Sequence, residues 1–486
     1  MFPQQKQYDV VIVGGGLAGL VAAVTAREQK LTTLVLEKGR TMGGDGNYVE
    51  GAMGVDSYLQ KQANIQIDPT ELLRDELAYS HYEASAPHLR QFIKASGQII
   101  DWLHSLGVAF SQVGPQGKSW PTIHTFAGGG HAAVTKLYQV ARAAGAEFVT
   151  SMSAQKLLLT DGHIAGVVIK NEATGQTRDL HTAHVILATG GYVDNPELIK
   201  QRTPFSRRLL SVSDGKSTGD GMQLAWGVGA QHYQMGAIQY GGGAIYDRVQ
   251  PPYVHMASQV AAAATQEAIL WVNERGERFT NEDVNDNMCH AGSAILTQSR
   301  VFSILDQAAV DHLTNVGLYK EVGNSPVSPE KFDHLQTELD QTLASHAKYL
   351  VQADSLDELA QKLTLDQLPQ TVARYNELTA AGTDRDFGKQ AAYLTPVTTG
   401  PFYAVELGVG MACALGGLRV DETNAVLNDY GYPVPGLYAA GNDAAGMLVG
   451  DTYAVTLPGS TAGYAAFSGR NAVLSLSREN LATAVD

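Results

Sequence analysis

The stretch YDVVIVGGGLAG at residues 8–19 constrains this chain more than any other. Residues 8–13 are a short valine-rich apolar run of the kind that forms a buried parallel strand. Gly14-Gly15-Gly16 follow at once, and LAGLVAAVTAREQ then places Leu17, Leu20, Val21 and Val24 on one side of a helix. TTLVLEK is a second strand that ends at Glu37. Strand, turn, helix and strand within about thirty residues make the unit of a dinucleotide-binding fold. In Gly14-x-Gly16-x-x-Gly19 the first glycine permits the tight turn, the second lets the backbone approach a pyrophosphate, and the third lets helix and strand pack closely. The helix start, at Leu17 and Ala18, offers free N–H groups and a positive dipole end to phosphates. Glu37, 18 residues past Gly19, is placed to accept hydrogen bonds from ribose hydroxyls.

Two further segments separate the candidate dinucleotides. Ala188-Thr189-Gly190-Gly191 follows the apolar strand HVIL, and Ala439-Ala440-Gly441-Asn442 ends the strand YPVPGLY. Such segments accompany two-dinucleotide-type flavoproteins, and the single GxGxxG at the N-terminus favours FAD over a nicotinamide nucleotide. The fold class is therefore α/β, a Rossmann-like FAD-binding domain of the two-dinucleotide-binding type. From about 236 to 392 the chain changes character. It carries the glycine patch Gly241-Gly242-Gly243, then ILWVNERGERFTNE, which reads as a hairpin turning at Arg275-Gly276, then polar helical stretches. We assign 1–235 with 393–486 to the FAD domain and 236–392 to an inserted α+β capping domain that handles substrate.

With 486 residues the chain has ample length for two domains. Its formal net charge of -15 repels phosphate backbones and anionic lipid headgroups, so nucleic acid is not expected as a partner. Its two cysteines, Cys289 and Cys413, form no CxxC pair and point to reduced structural thiols rather than a disulfide, zinc or iron–sulfur site. No metal site is expected. The N-terminus shows no basic region followed by an apolar stretch and no twin arginine, and no run of about 20 apolar residues would span a bilayer. These features lead us to expect a cytoplasmic protein with no membrane span.

The order of motifs along the whole chain resembles the fumarate reductase/succinate dehydrogenase flavoprotein superfamily. The resemblance is carried by VIVGGGLAGLVAA, LEKGRTMGGDGN, VILATGGYVDN, STGDGMQLAWGVGA, VNERGERFTNE, TVARYNEL, GLRVD, PGLYAAGN and PGSTAGYAAFSGR. It implies flavin contacts from Glu37 and Lys38, and from Gly43, Gly44, Asp45, Gly46 and Asn47 beside the flavin. It adds Asp220 within STGDG and Gly441 with Asn442, the latter standing where many relatives have Glu. Gly459, Ser460 and Thr461 would start the helix aimed at the flavin C2 carbonyl, where its dipole stabilises negative charge on reduced flavin. Membrane-complex members attach FAD through a histidine just after the glycine loop, and here those positions read Asn47-Tyr48-Val49, which implies non-covalent FAD.

The substrate ligands of the dicarboxylate members are absent. Their histidines fall at Gly241 and Ala412, their arginines at Asp286 and near Thr456, and their proton-relay Glu and Arg at Ala262 and Thr265. A dianion without cationic clamps loses its main source of binding, so fumarate and succinate are not expected as substrates. GDTYAVTLPGST resembles instead the 3-ketosteroid dehydrogenase branch, in which a tyrosine before a Pro-Gly turn polarises a ketone and another tyrosine takes a proton. Tyr453 matches the polarising tyrosine, with Ala454-Val455-Thr456-Leu457 intervening before Pro458-Gly459. Tyr240, Tyr246 and Tyr253 are candidates for the proton-transfer group. Arg278 and Glu282 read as fold-forming, and His124 and His131 as structural.

The expected function is hydride transfer between flavin and a carbonyl-adjacent CH–CH or C=C bond of a small molecule, as in ketosteroid desaturation. Alternatives are reduction of an unsaturated acid other than fumarate and a non-catalytic flavin-binding protein. No iron–sulfur, haem or covalent FMN module is evident in the sequence, so an external electron donor or acceptor is implied.

Overall fold

Four consecutive β-branched residues, Val10–Val13, are at most 6% exposed. A strand buried on both faces requires parallel neighbours on both edges, and this one has them. The first sheet contains β1 (Val10–Val13), β2 (Thr33–Leu36), β3 (Glu147–Val149), β4 (Val185–Leu187), β5 (Ala425–Leu427) and β6 (Pro433–Ala439), in the order β5-β6-β4-β1-β2-β3. Val11 stands opposite Leu34 on one side and Val185 on the other, and only the β5–β6 pairing is antiparallel. The computed structural model describes all residues except 1, 6, 117–118, 203–208, 251, 256–257, 320–331, 452 and 484–486, with the backbone alone at 202, 252–253, 285–286 and 479–483.

Five helices bear on the site: α1 (Leu17–Glu28), α2 (Pro69–Tyr79), α3 (Ala86–Ser105), α4 (Asp220–Trp226) and α5 (Ser460–Thr483). Helix α1 lies against α5 so closely that a Cβ added at Gly469 would sit 2.3 Å from the Ala18 carbonyl oxygen. A three-stranded meander (Met152–Thr160, His163–Asn171, Thr177–His181) and a second small sheet (Gly51–Met53, Ile123–Phe126, Phe110–Gly114) complete this part.

The chain divides into two compact units, residues 1–203, 213–239 and 413–486 forming the first and 204–212 with 240–412 the second. The divisions at 239/240 and 412/413 fall within the strands His232–Ile245 and Phe402–Leu418, so they differ from boundaries read off composition. In the second unit, Phe402–Leu418 pairs with Val301–Asp306 and Leu350–Ala353, both antiparallel, and Leu270–Asn273 pairs with Val301–Asp306. Trp271, Phe302 and Tyr403 are buried there.

The hairpin expected at Arg275-Gly276 does not form. The turn closes, with Asn273 N–H donating to the Glu277 carbonyl at 2.8 Å, but no return strand follows. The reason lies in the next residue: Arg278 leaves the turn to bind Glu282 through Nε at 2.8 Å and Nη2 at 2.7 Å, and Asp384 at 2.8 Å. Lys389 adds a contact to Glu282 at 3.3 Å. This buried cluster holds the Asp384 carboxyl well below the usual carboxylate range despite its burial. Cys289 and Cys413 are both buried and neither is in a disulfide, and burial pushes Cys289 up to about 12. Among the described residues no helix is long and apolar enough to cross a membrane, and no cluster of acidic, histidine or cysteine side chains could hold a metal ion.

Candidate functional site

The turn from β1 into α1 sorts its glycines by the space around them. Gly14 has φ +112°, and a Cβ there would lie 2.1 Å from the Ala188 carbonyl oxygen at the end of β4. A Cβ on Gly19 would lie 2.0 Å from the Gly14 carbonyl oxygen. Gly16, with φ -75°, has room: the nearest atom to an added Cβ is the Gly43 carbonyl oxygen at 3.7 Å. Gly14 and Gly19 are glycine because backbone packs on backbone, whereas a side chain at Gly16 would project toward a cavity.

That cavity, with the solvent-open space at its entrance, spans about 950 Å³. Gly14, Gly16, Leu17 and Ala18 line it from the turn, and Glu37 and Lys38 from the end of β2. Gly44, Asp45 and Gly46 line it from the short 3-10 turn Gly44–Asn47. Ala188, Thr189 and Gly190 face it from the end of β4, and Gly441 and Asn442 from the end of β6. Asp220 at the start of α4 and Thr461 at the start of α5 also reach it.

Five expected residues lie behind the lining. Gly19 packs the helix. Gly43 donates to the Gly15 carbonyl at 2.8 Å, and a Cβ there would stand 2.2 Å from the Asn47 amide nitrogen. Asn47 itself ties down the loop, donating to Gly44 O at 3.0 Å and meeting His131 Nδ1 at 3.0 Å through its Oδ1. Gly459 has φ +79° and accepts from Met53 N–H at 2.9 Å, and Ser460 donates its N–H to Leu457 O at 3.0 Å.

The electrostatics favour an anion beside the start of α1. Lys38 is paired with Asp220 at 2.7 Å and Lys216 with Asp214 at 2.6 Å, so both lining lysines are already neutralised. Glu37 accepts from Gly15 N–H at 2.9 Å and Gly39 N–H at 2.6 Å, which fixes the carboxylate while leaving lone pairs for a ligand hydroxyl. Asp45 accepts from Asp214 N–H at 2.7 Å and Ser217 O–H at 3.0 Å. Burial, helped by the Asp214 charge, pushes Asp45 up to about 6. The start of α1 is an uncompensated positive end: Gly16 provides no side-chain cap and the first turn holds no acidic residue. A cradle that a Cβ would fill, beside an uncapped helix end, fits the diphosphate of a dinucleotide.

Asp443 was not singled out from the sequence, yet it organises this end of the cavity. Fully buried, it accepts from Thr189 N–H at 2.6 Å, Thr189 O–H at 2.9 Å and Gly191 N–H at 2.9 Å. Burial raises its proton affinity, with those donors opposing. Asp214, Lys216, Ser217, Met152, Ser153 and Ala154 were missed as lining as well. Only the first three had a signal, Ser217 as the first residue of the STGDG segment and Asp214 and Lys216 just before it.

Of the four candidate tyrosines, Tyr453 belongs to the first unit. It is 8% exposed, and its hydroxyl lies 2.8 Å from Thr461 Oγ1, one residue from the cavity. Tyr240 and Tyr246 belong to the second unit. Tyr240 packs on its core, and the Tyr246 ring carries the Arg248 guanidinium at 5.6 Å. The side chain of Tyr253 lies outside the described residues, as does that of Asp286.

Residues 9–452 match the FAD binding domain family. The chain is 44% identical over 473 residues to the vinyl phenol reductase of Lactiplantibacillus plantarum, covering 96% of each chain. It is 27% identical over 448 residues to a fumarate reductase (cytochrome) of Shewanella frigidimarina, covering 90% of this chain and 72% of that one. Its fold matches a 3-ketosteroid-Δ4-(5α)-dehydrogenase from Rhodococcus jostii with TM-score 0.72 at 23% identity, covering 98% of both chains. The chain belongs to the FAD binding domain family, within the fumarate reductase/succinate dehydrogenase flavoprotein superfamily, and is an FAD-dependent oxidoreductase acting on carbon–carbon double or single bonds.

Proposed function

We propose that the chain reduces the alkenyl side chain of a neutral hydroxylated aromatic compound of the vinylphenol type. The observation that carries this reading is the 44% identity, spread over 96% of both chains, to a vinyl phenol reductase. The residues agree with it. By the resemblance, Gly241, Asp286, Ala412 and a position near Thr456 fall where dicarboxylate reductases place cations, and none of these residues can clamp a carboxylate.

Bound FAD, once reduced, supplies the hydride. The diphosphate is assigned to the N–H groups of Leu17 and Ala18 beside Gly16, a ribose to Glu37, and the flavin end to Gly44–Gly46 and the start of α5. With Asn47-Tyr48-Val49 in place of the attaching histidine, the cofactor is held without a covalent bond. The chain's own task is then to move protons. Adding a proton to the terminal alkene carbon and removing one from the phenol leaves the benzylic carbon electron-poor and ready for hydride. A phenolic hydroxyl of the enzyme suits the exchange at the substrate's own phenol, taking its proton and returning it to the phenolate after hydride transfer. Tyr453, Tyr240, Tyr246 and Tyr253 are the candidates, and we assign substrate recognition to the second unit. An external donor supplies the electrons.

A second reading, desaturation of a 3-ketosteroid, is favoured by the Tyr453 hydroxyl held 2.8 Å from Thr461 Oγ1. Anaerobic turnover with a reduced viologen dye separates the readings when 4-vinylphenol, 4-hydroxycinnamate and fumarate are offered in parallel, with a 3-ketosteroid tested against an oxidised dye. Consumption of 4-vinylphenol with release of 4-ethylphenol supports the proposal. Turnover of 4-hydroxycinnamate or fumarate alone rejects it in favour of an acid reductase, and turnover of the steroid alone in favour of a desaturase.

A further inference from the structure

Glu76 has no role in the fold that its chemistry explains. It sits on α2, is 1% exposed, and its Oε2 accepts the hydroxyl of Thr456. Its Oε1 is buried and has no hydrogen-bond partner among the described residues. A buried carboxyl with one oxygen unpaired and no counter-ion destabilises a protein by about 1–3 kcal/mol or more. Leucine or glutamine would fill the space at less expense.

The partner residue gives Glu76 its meaning. Thr456 lies in the turn Tyr453–Pro458, closed by Val455 N–H to Tyr453 O at 2.8 Å and Leu457 N–H to Ala454 O at 3.2 Å. Trp120 N–H holds Thr456 O at 3.4 Å, and Thr122 O–H holds Pro458 O at 3.0 Å. The same turn begins with Tyr453, whose hydroxyl meets the cavity-lining Thr461. One turn thus carries both the partner of the buried carboxyl, Thr456, and the tyrosine that meets a residue lining the cavity. By the family resemblance, Thr456 falls near the position of a substrate arginine in dicarboxylate reductases, and Ala262 and Thr265 fall where those enzymes carry their proton-relay Glu and Arg.

We propose that Glu76 and Thr456 form the proton relay of this enzyme, Glu76 storing the proton that reduction adds to carbon and the Thr456 hydroxyl passing it toward the substrate. Reducing a C=C bond adds one hydride and one proton. The hydride comes from the reduced flavin. On the other side, the Glu76–Thr456 bond reverses so that protonated Oε2 donates to Thr456 Oγ1; Thr456 then gives its own hydroxyl proton toward the alkene carbon not attacked by hydride, a C–H bond forms there, and Thr456 takes the Glu76 proton in exchange. Glu76 is left as a carboxylate and regains a proton from solvent before the next turnover. Glu76 acts through Thr456 and is a relay residue, not a group in contact with substrate. The proposal rests on the reading that the chain reduces alkenes, not on which alkene.

The surroundings suit storage. Burial pushes Glu76 up to about 8, with the Thr456 hydrogen bond opposing. On α2, Arg74 and Asp75 pair with each other at 3.6 Å, and Glu71 stands in the first turn. Helix α3, packed on α2, carries His88, Arg90, Lys94 and Asp101. Asp451 before the turn pairs with His81 at 3.0 Å, and His124, near Trp120, is lowered to about 4 by burial. None of these charges is among the influences on Glu76.

Two measurements on the holoenzyme test the relay, with E76Q, E76D and T456V as variants. In infrared spectra of the oxidised enzyme, a protonated-carboxyl C=O stretch should fade as pH rises through about 8 and be absent from E76Q. In stopped flow, reoxidation of pre-reduced wild type by 4-vinylphenol should slow over the same pH range. E76Q and T456V should slow it by about 100-fold and flatten the profile at unchanged FAD content and substrate affinity, while E76D keeps a pH-dependent rate. Wild-type rate and profile in E76Q, or no Glu76-dependent infrared band, overturns the relay. If 4-vinylphenol fails to reoxidise wild type, the substrate reading falls alone, and the relay is tested identically with whichever alkene does reoxidise it.

Discussion

Replacing Gly14 and Gly16 separately by alanine should damage two different things. At Gly14 a Cβ would stand 2.1 Å from the Ala188 carbonyl oxygen, far inside the 3.0 Å that real Cβ contacts respect, at φ +112°. Neither neighbour is a flexible side chain. Backbone strain of about 1–2 kcal/mol adds to overpacking of about 1–3 kcal/mol, so Gly14→Ala should destabilise the apoprotein by about 2–5 kcal/mol. At Gly16 the backbone is extended and the nearest atom is 3.7 Å away. Gly16→Ala should leave apoprotein stability within about 1 kcal/mol of wild type. Its methyl group would hold the diphosphate off the start of α1. Losing a charge-assisted hydrogen bond there is worth about 1.5–3 kcal/mol, or roughly 10- to 150-fold in Kd for FAD. Denaturant unfolding of the apoproteins and FAD titration by flavin fluorescence quenching measure the two effects. If Gly16→Ala binds FAD as tightly as wild type, the diphosphate is not where this turn places it. If Gly14→Ala is as stable as wild type, the close approach of β1 and β4 is wrong.

Other perturbations follow the same logic. Asp443→Ala leaves the Thr189 and Gly191 donors unpaired in a buried site; at about 1–3 kcal/mol each, denaturation should show several kcal/mol lost together with FAD. Arg278→Met strands Glu282 and Asp384, and a loss of about 3–5 kcal/mol is expected by urea unfolding. Because the cluster lowers both carboxyls, the wild-type advantage should be full above their unfolded values near pH 4 and shrink as pH falls below that. Glu76 runs the other way. Raised from 4.5 to about 8, it contributes stability that is full below pH 4.5 and lost as pH rises toward 8, so Tm of E76Q should gain on wild type from pH 5 to pH 9.

What the sequence disclosed follows what local backbone geometry demands. Gly14, Gly19 and Glu37 are legible because a strand-to-helix turn tolerates nothing else at those spacings, and the structure shows the contacts that enforce it. Asp443 is not legible, since its partners Thr189 and Gly191 lie 254 and 252 residues away. Ser153 and Ala154 reach the cavity from a meander that carries no motif. The long strand Phe402–Leu418 is hidden for another reason: it is almost wholly buried along its length, so it lacks the alternation that marks a strand. The failed hairpin at Arg275-Gly276 looked like a hairpin until Asp384, far along the chain, claimed Arg278.

The central claim is that this flavoenzyme delivers hydride to a neutral alkenyl phenol. A single-turnover experiment addresses it most directly: the enzyme is reduced anaerobically with one equivalent of dithionite, then mixed with 4-vinylphenol or with fumarate while flavin absorbance is followed. The account requires full reoxidation by 4-vinylphenol, with one equivalent of 4-ethylphenol formed, and none by fumarate. Reoxidation by fumarate with no response to 4-vinylphenol would contradict it, and would mean that cations other than those missing at Gly241, Asp286, Ala412 and near Thr456 bind the dianion.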